Sequence, residues 1–392
     1  MEVGLLTGGR DRPYVYGLVK ALLSKGLRLD VVGSDELDGP EMHADTNLNF
    51  LSFRNNAGTD SIRVRGAFRA LLYYARLITY TALASPNIFH ILWNGKFEYF
   101  DRTVLMVYYK LLGKKIVLTL HNINAGKRDS NDSRLNRLTL RIQYRLSDHI
   151  FVHTEQMKNE LLQDFRVRRE AVTIIPFGIN NAVPCTDLTV TEARQRLGLK
   201  DGARTILFFG NIGPYKGLDH LVVAFQKISA RCGEYRLMIA GKHRNGAEKY
   251  VNAICEATNH DVGRGRIIRR IEHIPDQETE MYFKAADVLA LPYTSVSQSG
   301  VLFLGYSFGL PVIATDVGSL RDDIVEGETG FLCRPSDPDH LAKTIERYFE
   351  SNLFENLSSR RQEIREYARE RHSWDVVGEM TRDVYAQLLE PR

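Results

Sequence analysis

Only four cysteines occur in the 392 residues (Cys185, Cys232, Cys255 and Cys333), scattered and without a Cys-x-x-Cys pair. Such usage argues against a disulfide frame or a zinc site and for reduced thiols filling the core of a cytosolic protein. Every long apolar stretch is interrupted by Arg or Lys well short of the ~18 residues that a membrane-spanning helix needs. The N-terminal Met1-Glu2-Val3-Gly4-Leu5-Leu6 has no basic segment followed by a long apolar run, so it reads as a first strand rather than a signal peptide. No low-complexity tract, Ser-His-Asp order or Walker loop is found. The expectation is a soluble or peripheral protein.

What is present allows a sizeable core. Hydrophobic residues make up 44% and charged residues 26%, which at this length suggests two domains. The net charge of +4 is unevenly spread: residues 1 to 180 carry +7 and the remainder −3. An anionic partner for the first half is implied, and a membrane surface or a lipid-linked diphosphate suits it as well as nucleic acid, for which no motif occurs.

The most informative stretch is Thr205 to His220. A β-branched and aromatic run, Thr205 to Phe209, predicts a buried parallel strand; a loop with Gly210, Gly213 and Gly217 follows, then a helix carrying Leu218, Leu221, Val222 and Phe225. Such a loop can bring backbone amides close to an anion at a helix N-terminus, with Lys216 as an added positive charge, which points to a phosphate or diphosphate. Alone it reads more simply as an ordinary strand-to-helix turn.

Before this stretch, strands are expected at Val3–Leu6, Leu29–Val32, Asn87–Leu92, Lys114–Leu120, His149–His153 and Val172–Pro176, with helices between them. After it, strands are expected at Arg236–Ala240, Ile267–Ile271 and Val288–Pro292. Gly8 and Gly9 close the first strand in what reads as a tight turn. His121 stands at the carboxyl end of the strand Lys114–Leu120, followed by Asn122, Lys127 and Arg128, where open α/β sheets place ligands. A histidine there also serves as a hydrogen-bonding or capping residue. From Ile62 to Leu83, Arg63, Arg65, Arg69 and Arg76 interleave with Phe68, Leu71, Leu72, Tyr73, Tyr74, Leu77 and Ile78. This reads either as a core-packing helix with a charged edge or as a membrane-interface helix.

The stretch Gly210-Asn211-Ile212-Gly213-Pro214-Tyr215-Lys216-Gly217 resembles the Gly-Arg-Leu-x-x-x-Lys-Gly loop of retaining glycosyltransferases of family 4. A second match, Gly309-Leu310-Pro311-Val312-Ile313-Ala314-Thr315-Asp316-Val317-Gly318, is close to that family's Gly-x-Pro-Val-Ile-Ala-x-Asp-Val-Gly. Ile174 to Pro184 is similar to the family's interdomain linker. The resemblance implies an α/β fold of the GT-B type: two Rossmann-like domains with a cleft between them and a C-terminal helix crossing back to the first. The boundaries expected are 1–181 for an acceptor-side domain, 182–371 for a nucleotide-sugar-binding domain and 372–392 for the helix.

It also implies a retaining, metal-independent hexosyltransferase that moves a sugar from a UDP- or GDP-sugar to a saccharide or lipid-linked acceptor in polysaccharide or glycoconjugate biosynthesis. The nucleotide sugar is a co-substrate, with no further cofactor and no metal. Lys216 and His121 would be catalytic. Gly210, Asn211, Gly213, Lys216, His273, Ile274, Gln298, Ser299, Gly300 and Val301 would bind the donor, and Gly8, Gly9, Asn122, Lys127 and Arg128 would lie on the acceptor side. The chain departs from the family at three places: Asn211 replaces the loop arginine, and Val296 and Leu304 occupy the positions of two glutamates. Gln298-Ser299-Gly300 resembles the signature of a subgroup. Asp337-Pro338-Asp339 fits a helix cap rather than a metal site. An epimerase or phosphorylase on the same fold, or a non-catalytic nucleotide-sugar-binding relative, remain as alternatives.

Overall fold

The computed structural model describes the whole chain except residues 10, 55–62, 129–131, 180–182, 201, 244–245 and 391–392, and the side chains of 63–67 and 128. It divides into two units, Met1–Gly178 with Ser373–Arg392, and Ile179–His372.

The first unit is a seven-stranded parallel sheet in the order β3-β2-β1-β4-β5-β6-β7: β1 (Glu2–Leu6), β2 (Arg28–Ser34), β3 (Leu48–Arg54), β4 (Ile88–Ile91), β5 (Lys115–Thr119), β6 (His149–Val152) and β7 (Val172–Ile174). Its helices are α1 (Arg12–Ser24), α2 (Arg63–Leu83), α3 (Glu98–Phe100), which runs through a π-helical Asp101–Leu105 into α4 (Met106–Leu111), α5 (Ala125–Arg128), α6 (Arg134–Leu146) and α7 (Glu155–Asp164). β4 and β6 are buried at every position, as the near-continuous apolar runs of a doubly covered parallel sheet require.

Strand order reverses between β1 and β4. Because crossovers between parallel strands are right-handed, α1, leading from β1 to β2, lies on one face, while α2, α4, α6 and α7 lie on the other.

The second unit has six parallel strands in the order β10-β9-β8-β11-β12-β13: β8 (Arg204–Phe209), β9 (Tyr235–Ala240), β10 (Ile267–Arg270), β11 (Val288–Leu291), β12 (Val312–Thr315) and β13 (Gly330–Cys333). Its helices are α8 (Val190–Arg196), α9 (Leu218–Arg231), α10 (Glu248–Gly263), α11 (Asp276–Ala285), α12 (Gly300–Ser307), α13 (Leu320–Asp323), α14 (Pro338–Phe349), α15 (Asn352–Glu355) and α16 (Leu357–Arg371). Here the order reverses between β8 and β11.

The last helix, α17 (Trp374–Leu389), belongs to the first unit and packs on α1. Gly378 lies against Ala21, and Trp374 covers Gly17 so closely that a Cβ on Gly17 would sit 2.0 Å from the indole. The return of the C-terminal helix to the first domain is thus as expected.

Two expectations change. The cysteines are not uniformly core filler: Cys333 is buried, Cys232 and Cys255 are half-buried, and Cys185 is exposed. The helix α2 combines features of both alternatives. Its inner face, Ala70, Tyr74, Leu77 and Thr81, is buried at helical spacing, yet Phe68, Leu71 and Leu83 on its outer face are more than 60% exposed. Arg63 and Arg65 have side chains outside the described residues.

Candidate functional site

In an open parallel sheet, the loops that leave the two strands flanking the order reversal splay apart and make a crevice. In the second unit those loops are the two glycine corners. The first follows β8: Pro214–Lys216 forms one 3-10 turn, closed by Lys216 N–H donating to Gly213 O at 2.9 Å and Gly217 N–H to Pro214 O at 3.0 Å. Gly217 then adopts φ 62°, and a Cβ there would lie 1.9 Å from the Pro292 carbonyl oxygen. Only glycine lets the turn sit against the end of β11.

That contact places the two corners side by side. Lys216 is 8% exposed, and its Nζ lies 3.8 Å from the centroid of the Tyr293 ring, a cation held over a π-face. The fully buried Tyr293 hydroxyl is 3.2 Å from Ser299 Oγ, and burial raises its pKa further above the ordinary phenol value. Thr294 N–H donates to Tyr215 O at 2.9 Å. A Cβ on Gly210 would come within 3.2 Å of Val301 Cγ2, so the first turn of α12 also faces the first corner.

The amides of the two corners differ in availability. In the first, Gly210 N–H already donates to Ala240 O, Lys216 and Gly217 close the 3-10 turn, and Asp219 N–H donates to the Tyr250 hydroxyl at 3.1 Å. Ile212 N–H likewise donates to Lys242 O at 2.8 Å, so the expectation that these amides cradle an anion fails for five of them: the fold has used them. In the second, Ser299 is the N-cap of α12 but its hydroxyl is turned to Tyr293, and no side chain caps the helix. Among the described residues the Gly300 and Val301 amides meet no acceptor. A helix N-terminus with open amides beside an ammonium group is an anion site by geometry and dipole.

Gln298 Oε1 and Ser319 Oγ are buried without a hydrogen-bond partner among the described residues. Gly318 packs against the Val296 carbonyl, and Ser319 N–H donates to Ser297 O at 3.3 Å, so these groups belong to the second corner. Leu304 is 6% exposed within α12 and Val296 is half-buried. Neither can accept a hydroxyl proton. Asn211 is exposed; Gly213 is buried. His273, exposed, and Ile274, buried, lie on the loop after the edge strand β10, and no described contact joins them to the two corners.

In the first unit the loops after β1, β4, β5 and β6 come together. Gly8, at φ 61°, fits under the Asn94 and Trp93 carbonyls, where a Cβ would stand only 2.9 Å from either oxygen. Trp93 stacks on His121 with ring centroids 4.3 Å apart and planes 7° apart; Tyr14 meets the same imidazole edge-on at 4.6 Å. His153 Nε2 is 3.3 Å from His121 Nδ1. Burial, with a smaller contribution from His153, holds the His121 pKa well below the usual imidazole value, so the ring is neutral. Phe177 and Trp374 complete an aromatic box around Tyr14.

Gly9 lies near Ser34, and its N–H donates to Thr7 Oγ1 at 3.1 Å. Asn122 is half-buried beside His121; Lys127 is exposed, its amide donating to Asn124. The side chain of Arg128 lies outside the described residues. Sequence reasoning passed over Tyr293, Trp93, Tyr14 and His153. The signal available was position: each aromatic or imidazole stands at or just beyond a strand's carboxyl end, or on the helix that follows.

Asp337 accepts the His340 amide at 2.8 Å as N-cap of α14, and Asp339 pairs with Lys227, so the Asp-Pro-Asp is a cap. Among the described residues no three His, Cys, Asp or Glu side chains converge as a metal site would need.

Two Rossmann-like parallel sheets and a returning C-terminal helix define the GT-B fold. It is shared, over nearly the full length, with a sucrose-phosphate synthase from Thermosynechococcus elongatus (TM-score 0.77, 19% identity, 99% of each chain). The Anabaena HepE structure in complex with UDP and glucose is similar too (TM-score 0.76, 17% identity, 99% of this chain and 100% of that one). Residues 13–183 match the model for Glycosyltransferase Family 4 and residues 189–371 that for glycosyl transferases group 1, so the two matches fall almost entirely one in each unit. Relatives include the D-inositol 3-phosphate glycosyltransferases of Corynebacterium aurimucosum (23% identity over 290 residues, 70% of this chain) and Corynebacterium efficiens (25% over 285 residues, 69% of this chain). The match spans 66% and 65% of the length of those two proteins, just under two thirds.

Proposed function

We propose that this chain is a retaining hexosyltransferase that moves a sugar from a nucleoside diphosphate sugar, UDP- or GDP-linked, to a hydroxyl of a saccharide or lipid-linked acceptor, in the assembly of a cell-surface polysaccharide or glycoconjugate. The observation that carries this reading is the corner where Lys216 Nζ lies over Tyr293 beside the open amides of Gly300 and Val301. As the bond from anomeric carbon to phosphate oxygen breaks, negative charge builds on the departing diphosphate. A preorganised ammonium and two amides stabilise that charge, one such donor being worth ~10²–10³ in rate. The unsatisfied Gln298 Oε1 and Ser319 Oγ accept and donate to sugar or ribose hydroxyls in place of the carboxylates lost at Val296 and Leu304. The reaction is proposed to need no divalent metal and no further cofactor, so chelator leaves turnover intact.

The test is a thermal-shift screen of UDP- and GDP-sugars, since a ligand bound only by the native state raises its stability, followed by an assay for nucleoside diphosphate released only when acceptor is supplied. A screen with no shift from any nucleotide, on a folded chain, would refute the reading. The hydrocarbon at Val296 and Leu304 favours a second reading, a nucleotide-sugar-binding protein without catalysis; calorimetry would then find tight donor binding and no turnover with any acceptor.

The acceptor side is proposed to work at an anionic membrane surface on its cytoplasmic side. No described helix is long and apolar enough to cross a membrane. Thirteen of the eighteen exposed large apolar side chains among the described residues fall between Phe68 and Leu138, on or beside α2, α3 to α4, and α6, which share one face of the sheet. α2 and α6 between them contain eight arginines and no Asp or Glu. Apolar side chains set among cations suit an anionic lipid interface. Flotation with vesicles containing phosphatidylglycerol should exceed that with neutral vesicles, and Leu71→Glu with Leu138→Glu should abolish the difference. Equal flotation with both lipids would remove the membrane from the proposal.

A further inference from the structure

We propose that a second anion site lies in the first unit: a cleft walled by Arg141, Arg145, Arg166 and Arg168 that takes a phosphate monoester carried on a sugar or other polyol, free or as the headgroup of a lipid. The cleft has a volume of about 850 Å³, the size of a small-molecule site rather than of a lone phosphate. Ser147 and Ala171 line it just ahead of β6 and β7, so it opens at the amino ends of these strands. His153 and Ile175 follow the carboxyl ends of the same two strands, on the opposite edge of the sheet. The cleft is therefore no extension of the loops around His121, and it does not depend on the transferase reading.

Its floor is apolar. Tyr144 and Phe165 are buried and meet edge-on with ring centroids 5.0 Å apart. The Tyr144 hydroxyl donates to Ile123 O and Ser147 Oγ to Gln143 O, so neither is left to greet a ligand. Polar recognition falls to the rim, where every cation is an arginine and Asp164 is the one carboxylate. Among the described residues Arg141, Arg145 and Arg166 make no hydrogen bond or ion pair, and Arg168 only approaches the exposed Glu170 at 3.8 Å. Arg141 and Arg145 stand one turn apart on the same face of α6. Guanidinium forks match phosphate oxygens two at a time, and a dianion turns the mutual repulsion of the arginines into attraction.

Arg166 adds a separate observation. α7 ends at Asp164, and the chain turns through Arg166 at φ 54°, with Val167 N–H reaching back to Leu161 O at 3.3 Å. Glycine or asparagine is usual at such a turn, because a Cβ makes left-handed backbone costly. A long cationic side chain held there against that cost points to a role for the side chain. The C-terminal dipoles of α6 and α7 favour one cation each, which accounts for Arg145 and Arg166 singly but not for four arginines around one cleft. No large apolar side chain between Leu138 and Val190 is exposed among the described residues, so the surroundings are polar, unlike the outer face of α2.

The test titrates the full chain with fructose 1,6-bisphosphate in a calorimeter. Saturable one-to-one binding is expected, weaker by about tenfold or more in Arg141→Ser with Arg166→Gly, since charge-assisted hydrogen bonds are lost, and unchanged in Lys216→Ala. Arg166→Gly alone should lower affinity while the melting temperature holds or rises; a purely structural Arg166 would lower the melting temperature and leave affinity alone. A second arm floats the chain on phosphatidylcholine vesicles carrying phosphatidylinositol 4-phosphate or, at equal charge, phosphatidylglycerol. A preference for the phosphoinositide that the double variant loses assigns the ester to a lipid headgroup, whereas bisphosphate binding without that preference assigns it to a free ester. The proposal is overturned if neither probe distinguishes wild type from the double variant, or if sulfate at equal ionic strength binds as tightly as the bisphosphate.

Discussion

The two units solve one structural problem with opposite chemistry. Each is a parallel sheet whose strand order reverses in the middle, and each gathers its polar residues at the carboxyl ends beside that reversal. In the second unit the corner holds a lysine and two open amides. In the first it holds two imidazoles, His121 kept neutral by burial, packed among indole and phenol rings, with no lysine or arginine among the described ring contacts. The outer layers differ as well: α2, α4 and α6 expose leucine, isoleucine, valine and phenylalanine, while in the second unit only Val190 and Val223 among the described large apolar residues are exposed. Architecture therefore sets where a site lies, and the side chains at strand ends decide what chemistry it can answer to.

The sharpest way to break this comparison is to remove the cation from the second unit's corner. Lys216→Ala is expected to lower kcat/KM by about 10²–10³ with the melting temperature little changed; turnover equal to wild type would reduce the first glycine corner to a turn. Acid should separate the units next. His90, buried between the Tyr385 hydroxyl and Thr119 Oγ1 at 2.6 and 2.7 Å, has its pKa pushed down to about 3 by burial. Below the ordinary imidazole pKa of about 6.5 the unfolded chain takes up a proton that the folded one refuses. The first unit therefore loses about 1.4 kcal/mol per pH unit from this residue as pH falls from about 6.5 towards 3. Burial lowers His121 and His149 in the same direction, while Asp101, raised to about 6, offsets part of the loss.

Asp323 in the second unit has the opposite sign to His90. Burial raises its carboxyl to about 7, so the folded state binds the proton first, and stability is gained as pH falls from about 7 to about 4. Calorimetry at pH 5 against pH 7 is expected to show the first unit's transition moving down relative to the second's; His90→Gln should shrink that separation. The smallest effect is local. Gly8→Ala, forced into a left-handed backbone against two carbonyls, should cost about 1–2 kcal/mol in urea unfolding and disturb the Trp93 fluorescence that reports on the His121 stack.

Much of this was legible in advance. Strand runs such as Ile206–Phe208 and Leu237–Ala240 are continuous and apolar because both faces of a parallel sheet are covered, and that pattern survives without any tertiary information. The edge strand β3 went unread, since Leu48 to Arg54 alternates with polar residues and only pairing with β2 makes it a strand. The first glycine loop was recognisable as a loop, but the use of its amides was not: Gly210 donates to a carbonyl on β9, and Asp219 to a tyrosine thirty-one residues on. Tyr293 and His153 were equally opaque, for their partners, Lys216 and Ile175, are distant in sequence.

Local order in the chain determined the succession of strands, glycine corners and helices, because each depends on neighbouring side chains and backbone freedom. It also determined that the first half would be basic and the second slightly acidic. Tertiary structure alone decided which amides stay open, which rings enclose His121, and which apolar side chains of α2 are left outside. Those depend on what lies across the sheet or in the next loop, and hydrogen-bond competition and burial act between residues that the sequence separates by tens to hundreds of positions.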